Sequence, residues 1–180
     1  MKDIFYDRTR RVTLVAFCAL LATASTGAYG QAIPLKQSGS GWSDATAIDS
    51  NGDGEPKFSS WSASTGSLGG ANTNGLTELL PWDTVTFCGP NHVQLDYFSA
   101  SFVDRAANGD LLFRVMSNSP PSTLCFDFVN ETFTFEVYTD VTGGTGRFEG
   151  HGGTGIITGS GTSVADGQSG FEFELNGTIE

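Results

Sequence analysis

The chain has 180 residues, of which 20 are acidic and 9 are basic, so its formal net charge is -11 at pH 7. This excess of carboxylates makes nucleic acid a poor partner, because binding to a phosphate backbone depends on clustered Lys and Arg. About 150 residues remain beyond the N-terminal segment, enough for one domain that buries more than half of its unfolded surface.

Residues 1–30 have the organisation of an export signal. Four basic residues precede an apolar run over residues 12–24, and Ala28 and Gly30 supply small residues at the cleavage positions. The apolar run is shorter than the roughly 20 residues that a membrane-spanning helix needs. We therefore predict a signal peptide helix, an exported protein in the periplasm or outside the cell, and no membrane span.

The remaining chain has the pattern of an antiparallel β-protein. Residues 132–138 and 171–176 alternate apolar and polar side chains, which is the period of half-buried strands. Turn residues recur at roughly ten-residue spacing. Further strands are predicted at residues 58–63, 76–80, 84–88, 93–103, 110–116, 123–129 and 155–158. We predict an all-β fold with a calycin-like barrel of about eight strands, in which residues 42–180 are one domain and residues 31–41 a flexible leader.

One strand has an irregular pattern. In residues 93–103 the apolar phase switches between Tyr97 and Phe98, so a β-bulge is expected there.

Cys88 and Cys125 are the only cysteines beyond the predicted signal peptide. Export places them in an oxidising compartment, where a disulfide is the simplest interpretation of such a pair. The alternation around each residue puts both sulfur atoms on the face away from the core. The bond is expected to stabilise the fold by about 4 kcal/mol through chain entropy.

A glycine-rich segment over residues 142–150 invites comparison with dinucleotide-binding loops. Its first part matches the opening of such a loop, but Glu149 occupies the place of the last glycine and no helix pattern follows. We therefore predict no cofactor-binding residue. Gly143, Gly144 and Gly146 are predicted to form a structural turn, with Phe148 in the core.

Four segments share a further pattern: residues 109–113 (Gly-Asp-Leu-Leu-Phe), the strand around Cys125, residues 142–150 and residues 170–179. Together they resemble the allene oxide cyclase and dirigent type of eight-stranded β-barrel, especially its small exported bacterial relatives. The resemblance covers about residues 85–179 and departs at His151, where such chains carry a small residue. It implies a barrel with a ligand-sized interior, like plant relatives that cyclise an epoxide or steer phenolic radical coupling.

An acidic segment is the candidate metal site. Asp49, Asn51 and Asp53 place oxygen ligands at positions 1, 3 and 5 of a calcium loop, with a glycine at position 6. Position 12 is Ser60 rather than the bidentate glutamate, so Glu55 or a distant carboxylate would have to complete the site. The alternative is a solvated turn rich in Asx residues.

No catalytic residue is predicted. None of the relatives' catalytic carboxylates maps onto this chain, and neither His92 nor His151 has a nucleophile motif nearby. Three functions remain open: a non-enzymatic module that binds a small apolar or phenolic ligand or a surface; an allene-oxide-cyclase-like isomerase acting in the barrel interior; or a structural protein with a filled core and calcium-stiffened loops. The interior volume distinguishes them, whereas the oligomeric state stays open.

Overall fold

The computed structural model describes residues 32–49, 52, 54, 57–81, 84–165 and 167–180, so the predicted signal peptide lies outside the described residues. Within these ranges there are ten β-strands and a 3-10 helix at Gly146–Phe148. The strands are β1 (Ile33–Ala45), β2 (Lys57–Gly66), β3 (Gly69–Leu79), β4 (Thr86–Gly89), β5 (His92–Arg105), β6 (Leu111–Met116), β7 (Thr123–Asp127), β8 (Thr132–Gly144), β9 (Gly153–Ala165) and β10 (Gln168–Ile179). None of the described residues belongs to a helix long and apolar enough to cross a membrane.

The strands close into a ring of antiparallel neighbours. The order β3, β2, β1, β10, β9, β8 continues through β6 and β7 to β5, and β5 pairs with β3. Because β6 pairs with residues 101–105 of β5 and β7 with residues 92–96, these two strands share one position in the ring. The short β4 forms a hairpin with the start of β5. The described residues thus form a closed, eight-stranded antiparallel barrel, and the predicted all-β barrel is confirmed.

The predicted leader is wrong over most of its length. Residues 33–45 form β1, which pairs with β10 on one edge and with β2 on the other. Both edges of its backbone therefore find hydrogen-bond partners within the sheet, as buried backbone groups require. The sequence pattern is weak here because Gly39 and Gly41 occupy inward positions that carry large apolar residues in other strands.

One end of the barrel is sealed by apolar packing. Its side chains come from strand ends and from the 3-10 helix, and each is at most 1% exposed. They are Leu35, Leu112, Phe148, Leu175 and Ile179. We call this the sealed end.

Phenylalanine rings and glycines alternate across neighbouring strands in the other half of the barrel. Gly161 on β9 lies between Phe133 on β8 and Phe171 on β10. Gly159, the next inward position of β9 toward the sealed end, lies in the same way between Phe135 on β8 and Phe173 on β10. A methyl group at either glycine would overlap a phenylalanine ring and a carbonyl oxygen of β10. The glycines therefore give the rings room to turn inward, as expected where a backbone is closely approached.

The bulge expected in β5 is present. Glu78 of β3 pairs with Ser99 of β5, whereas the next residue, Leu79, pairs with Tyr97. Phe98 is therefore the extra residue, and its insertion reverses the alternation of β5. As a result both Tyr97 and Phe102 line the barrel interior.

Cys88 and Cys125 form a disulfide, as predicted. Their Cα atoms are 6.2 Å apart, and the bond joins β4 to β7. Both strands pair with the first residues of β5, so the disulfide fastens this part of the barrel outside the hydrophobic core.

Candidate ligand-binding cavity

A cavity of about 390 Å³ occupies the half of the barrel opposite the sealed end. Ser43, Ser163 and Ser169 line it near the ends of β1, β9 and β10, and Phe128 lines it from the turn after β7. This volume is in the range of sites that hold one small organic molecule. The side chains of the described residues therefore do not fill the barrel interior.

One wall of the cavity is aromatic. Its rings come from β7, β8 and β10, and neighbouring rings are in contact: Phe135 and Phe171 meet edge to face with centroids 6.1 Å apart. The rings of this aromatic wall are Phe126, Phe133, Phe135, Phe171 and Phe173. Ring faces and edges of this kind favour stacked and perpendicular contacts with a flat apolar ligand.

The facing wall carries hydroxyl groups. Ser60 and Ser62 project into the cavity from β2, and Thr73 and Thr77 project from β3. Ser62 and Thr73 are direct cross-strand neighbours, so their side chains lie at the same depth. We call these four residues the hydroxyl wall. They offer neutral donors and acceptors opposite a purely apolar surface.

A buried ion pair lies beneath the hydroxyl wall. Arg114 of β6 lines the cavity and is 2% exposed; its Nε donates to Asp104 Oδ2 at 2.6 Å and its Nη2 to Asp104 Oδ1 at 2.9 Å. Thr73 Oγ1 donates to the same carboxylate at 2.7 Å. The Phe102 ring lies under the guanidinium, with its centroid 5.0 Å from Cζ. Such pairing is what a buried charge requires.

One nitrogen of the Arg114 guanidinium takes no part in these hydrogen bonds. Arg114 Nη1 is buried and has no hydrogen-bond partner among the described residues. A buried donor without an acceptor is costly, so this nitrogen marks a place where an acceptor from outside the chain would be stabilised.

Tyr97 is the phenol of the cavity wall. Burial raises its pKa well above the ordinary value of 10, because a phenolate in this apolar surrounding would lose its hydration. The hydroxyl therefore stays protonated at physiological pH and can donate a hydrogen bond into the cavity.

The predicted glycine turn lies at the sealed end, away from the cavity. Gly143 and Gly144 end β8, Gly146 starts the 3-10 helix with φ of 58°, and Phe148 is 1% exposed in the core. Arg147 Nε lies 3.8 Å from a carboxylate oxygen of Asp110. This segment closes the barrel and contributes nothing to the cavity.

The acidic segment is only partly described. The Asp49 carboxylate accepts hydrogen bonds from the backbone N–H of Gly52 at 2.6 Å and from that of Gly54 at 2.9 Å. Asn51, Asp53 and Glu55 lie outside the described residues. Among the residues that are described, no group of three or more His, Cys, Asp or Glu could hold a metal ion. Calcium binding stays a prediction, and calorimetry at millimolar calcium that shows neither heat nor a shift in melting temperature would remove it.

Neither histidine lines the cavity. His92 Nε2 is 3.5 Å from an Asp127 oxygen, and His151 Nδ1 is 2.9 Å from the backbone oxygen of Glu180.

Sequence reasoning missed the polar groups of the cavity. Arg114 shares the alternation of Leu112 in β6, and Asp104 shares that of Phe102 in β5, so two opposite charges at inward positions were a readable signal. For Tyr97 the sequence pattern indicates only the bulge.

No protein-family model matches this sequence, and comparison with curated proteins finds no significantly similar one. The resemblance to the allene oxide cyclase and dirigent type therefore stays a prediction.

Proposed function

We propose that the protein is an exported, non-enzymatic binding module that holds one small apolar or phenolic ligand inside the barrel. The observation that carries this proposal is the cavity of about 390 Å³, with an aromatic wall facing a hydroxyl wall. A pocket that is mostly apolar with a few converging polar groups is the usual form of a small-molecule site. The disulfide supports the exported location, because such bonds persist in oxidising compartments.

The cavity argues against the structural alternative. A barrel that serves only as a scaffold gains stability by filling its interior, since each unfilled space forfeits dispersion contacts. Here one half is closed by large aliphatic and aromatic residues, while the other half has serine and glycine at inward positions. Small residues on the hydroxyl wall thus preserve space that leucine or phenylalanine would occupy.

A titration with the neutral fluorescent probe N-phenyl-1-naphthylamine tests the proposal. We expect saturable binding at one site per chain, with the emission increase typical of transfer into an apolar surrounding. Ser60→Phe places a ring in the cavity and abolishes this binding. Ser59→Phe, on the exposed outer face of the same strand, is the matched control and leaves it intact. Circular dichroism checks that both variants fold. Binding that Ser60→Phe does not weaken contradicts the proposal.

An isomerase or cyclase acting in the interior is the second candidate, and Tyr97 is the observation that favours it. Its neutral phenol lines the cavity together with Arg114, so a hydrogen-bond donor and a guanidinium are available to polarise an oxygen of a bound molecule. Turnover of the neutral methyl ester of an epoxide-bearing fatty acid, followed by mass spectrometry, would support catalysis if Tyr97→Phe removed it while probe binding persisted. Unchanged substrate at high protein concentration counts against this candidate.

A further inference from the structure

We infer that the ligand is an electrically neutral molecule with a flat apolar body and an acceptor oxygen, carbonyl or phenolic, directed at Arg114. This inference rests on the proposed function and adds the chemical class of the ligand. It follows from three properties of the cavity: a buried donor without a partner among the described residues, an ion pair that is already neutral, and a hydroxyl wall that faces an aromatic wall.

The donor is Nη1 of Arg114. Two other nitrogens of this guanidinium are engaged by Asp104, and Phe102 covers a face of the group. Nη1 itself is buried without an acceptor among the described residues, although Arg114 lines the cavity. A ligand oxygen that reaches the guanidinium would satisfy a group that otherwise carries the full cost of its lost hydration.

The charge balance selects a neutral acceptor over a carboxylate. Asp104 already neutralises Arg114, and its two oxygens accept three hydrogen bonds from Arg114 and Thr73. A ligand carboxylate would add a second negative charge beside one buried positive charge, where desolvation outweighs the remaining attraction. The overall charge of -11 adds long-range repulsion of anions.

A cationic ligand is also disfavoured. No Asp or Glu is among the described residues that line the cavity, and the Asp104 oxygens behind Arg114 are occupied by the guanidinium and the Thr73 hydroxyl. A buried ammonium group would meet Arg114 instead of a free anion.

The remaining polar groups fit a neutral molecule. Ser60, Ser62 and Thr77 line one side of the cavity, and Tyr97 adds a protonated phenol. Opposite them, the aromatic wall contacts the apolar body of the ligand. The arrangement orients an aromatic ketone, aldehyde or phenol with its oxygen toward Arg114 and its ring against the phenylalanines.

Three naphthalenes whose substituents have nearly equal size and shape test the inference on the unaltered protein: 2-acetylnaphthalene, 2-isopropenylnaphthalene and 2-naphthoate, titrated by calorimetry at pH 7.5. We expect 2-acetylnaphthalene to bind about tenfold more tightly than 2-isopropenylnaphthalene, because its oxygen gains one hydrogen bond to a charged donor, and at least about tenfold more tightly than 2-naphthoate. Equal affinities, or tightest binding of 2-naphthoate, would overturn the inference while leaving the proposed function in place. If none of the three binds, the proposed function fails with it.

A paired substitution locates the preference. The double variant Asp104→Leu with Arg114→Met removes both charges together, so that no unpaired carboxylate is left buried. We expect it to bind 2-isopropenylnaphthalene as before and to lose the tenfold preference for 2-acetylnaphthalene. Arg147→Met is the control, because this arginine lies outside the cavity with its side chain 44% exposed, and the preference stays. A preference that survives in the double variant contradicts the assignment to Arg114. The ligand series on the unaltered chain remains decisive if the double variant does not fold.

Discussion

Gly161 offers the sharpest test of how the barrel makes room for its aromatic rings. A methyl group at this position would collide with the Phe133 ring and with the backbone oxygen of Gly170, and the oxygen cannot move without distorting β10. Overpacking of this kind costs about 1–3 kcal/mol. Replacing glycine by alanine also reduces the conformational entropy of the unfolded chain, which offsets about 0.4–1 kcal/mol of this loss. We expect Gly161→Ala to lower the free energy of unfolding by about 1–2 kcal/mol.

Gly70 is the matched control for this substitution. It lies in β3, and a methyl group there would meet no atom within 4 Å. Only the effect on the unfolded chain remains, so Gly70→Ala is expected to be neutral or to stabilise by about 0.4–1 kcal/mol.

Urea titration followed by circular dichroism measures both variants against the unaltered chain. For a domain of this size the expected loss in Gly161→Ala corresponds to a melting temperature about 2–8 °C lower. If Gly161→Ala were as stable as Gly70→Ala, the account of glycines as space for the phenylalanine rings would be refuted.

Two further predictions concern the surface around β5. Replacing Cys88 and Cys125 by serine opens a loop spanning 37 residues and is expected to cost about 4 kcal/mol, or about 8–16 °C in melting temperature; a loss below about 1 kcal/mol would contradict the chain-entropy account. Hydrogen bonds from the Asn130 side chain and the Val129 N–H lower the pKa of Asp127 below its usual 3.8. Its stabilising contribution is therefore complete above that value and lost as the pH falls through the lower folded pKa. Asn130→Ala is expected to reduce the fall in melting temperature that occurs as the pH is lowered into the acid range. An unchanged fall would count against this assignment.

The sequence was sufficient to predict the strands whose inward residues are large. Phe133 and Phe135 in β8, and Phe171 and Phe173 in β10, alternate with polar residues, so the period-two pattern is plain. The reversal of phase at Phe98 revealed the bulge in the same way. These predictions depend on neighbours in the chain alone.

The pattern failed where glycine takes the inward position. The pattern predicts a leader over residues 31–41 and a strand over residues 155–158 only, yet β1 and β9 extend over Ile33–Ala45 and Gly153–Ala165. Gly39, Gly41, Gly159 and Gly161 lie opposite phenylalanines of β8 or β10. Their role depends on rings contributed by other strands, which periodicity within one strand cannot reveal.

The candidate site could be predicted only in part, for a related reason. Asp104 and Arg114 are ten residues apart in the sequence. They come together because β5 pairs with β6. Thr73 reaches Asp104 only because the ring closes between β3 and β5. A polar residue in an inward phase is readable from the sequence, but the cavity that it faces depends on the register of the whole barrel.

The central claim is that the aromatic half of the barrel encloses space for a ligand, and xenon tests it without assuming which ligand binds. Apolar cavities in proteins take up xenon, which is located in crystals by its anomalous scattering. In a crystal of the protein held under xenon pressure, we predict a bound atom inside the barrel, in contact with Phe135 and Phe171. An interior filled by the side chains themselves, with xenon confined to the outer surface, would contradict the account.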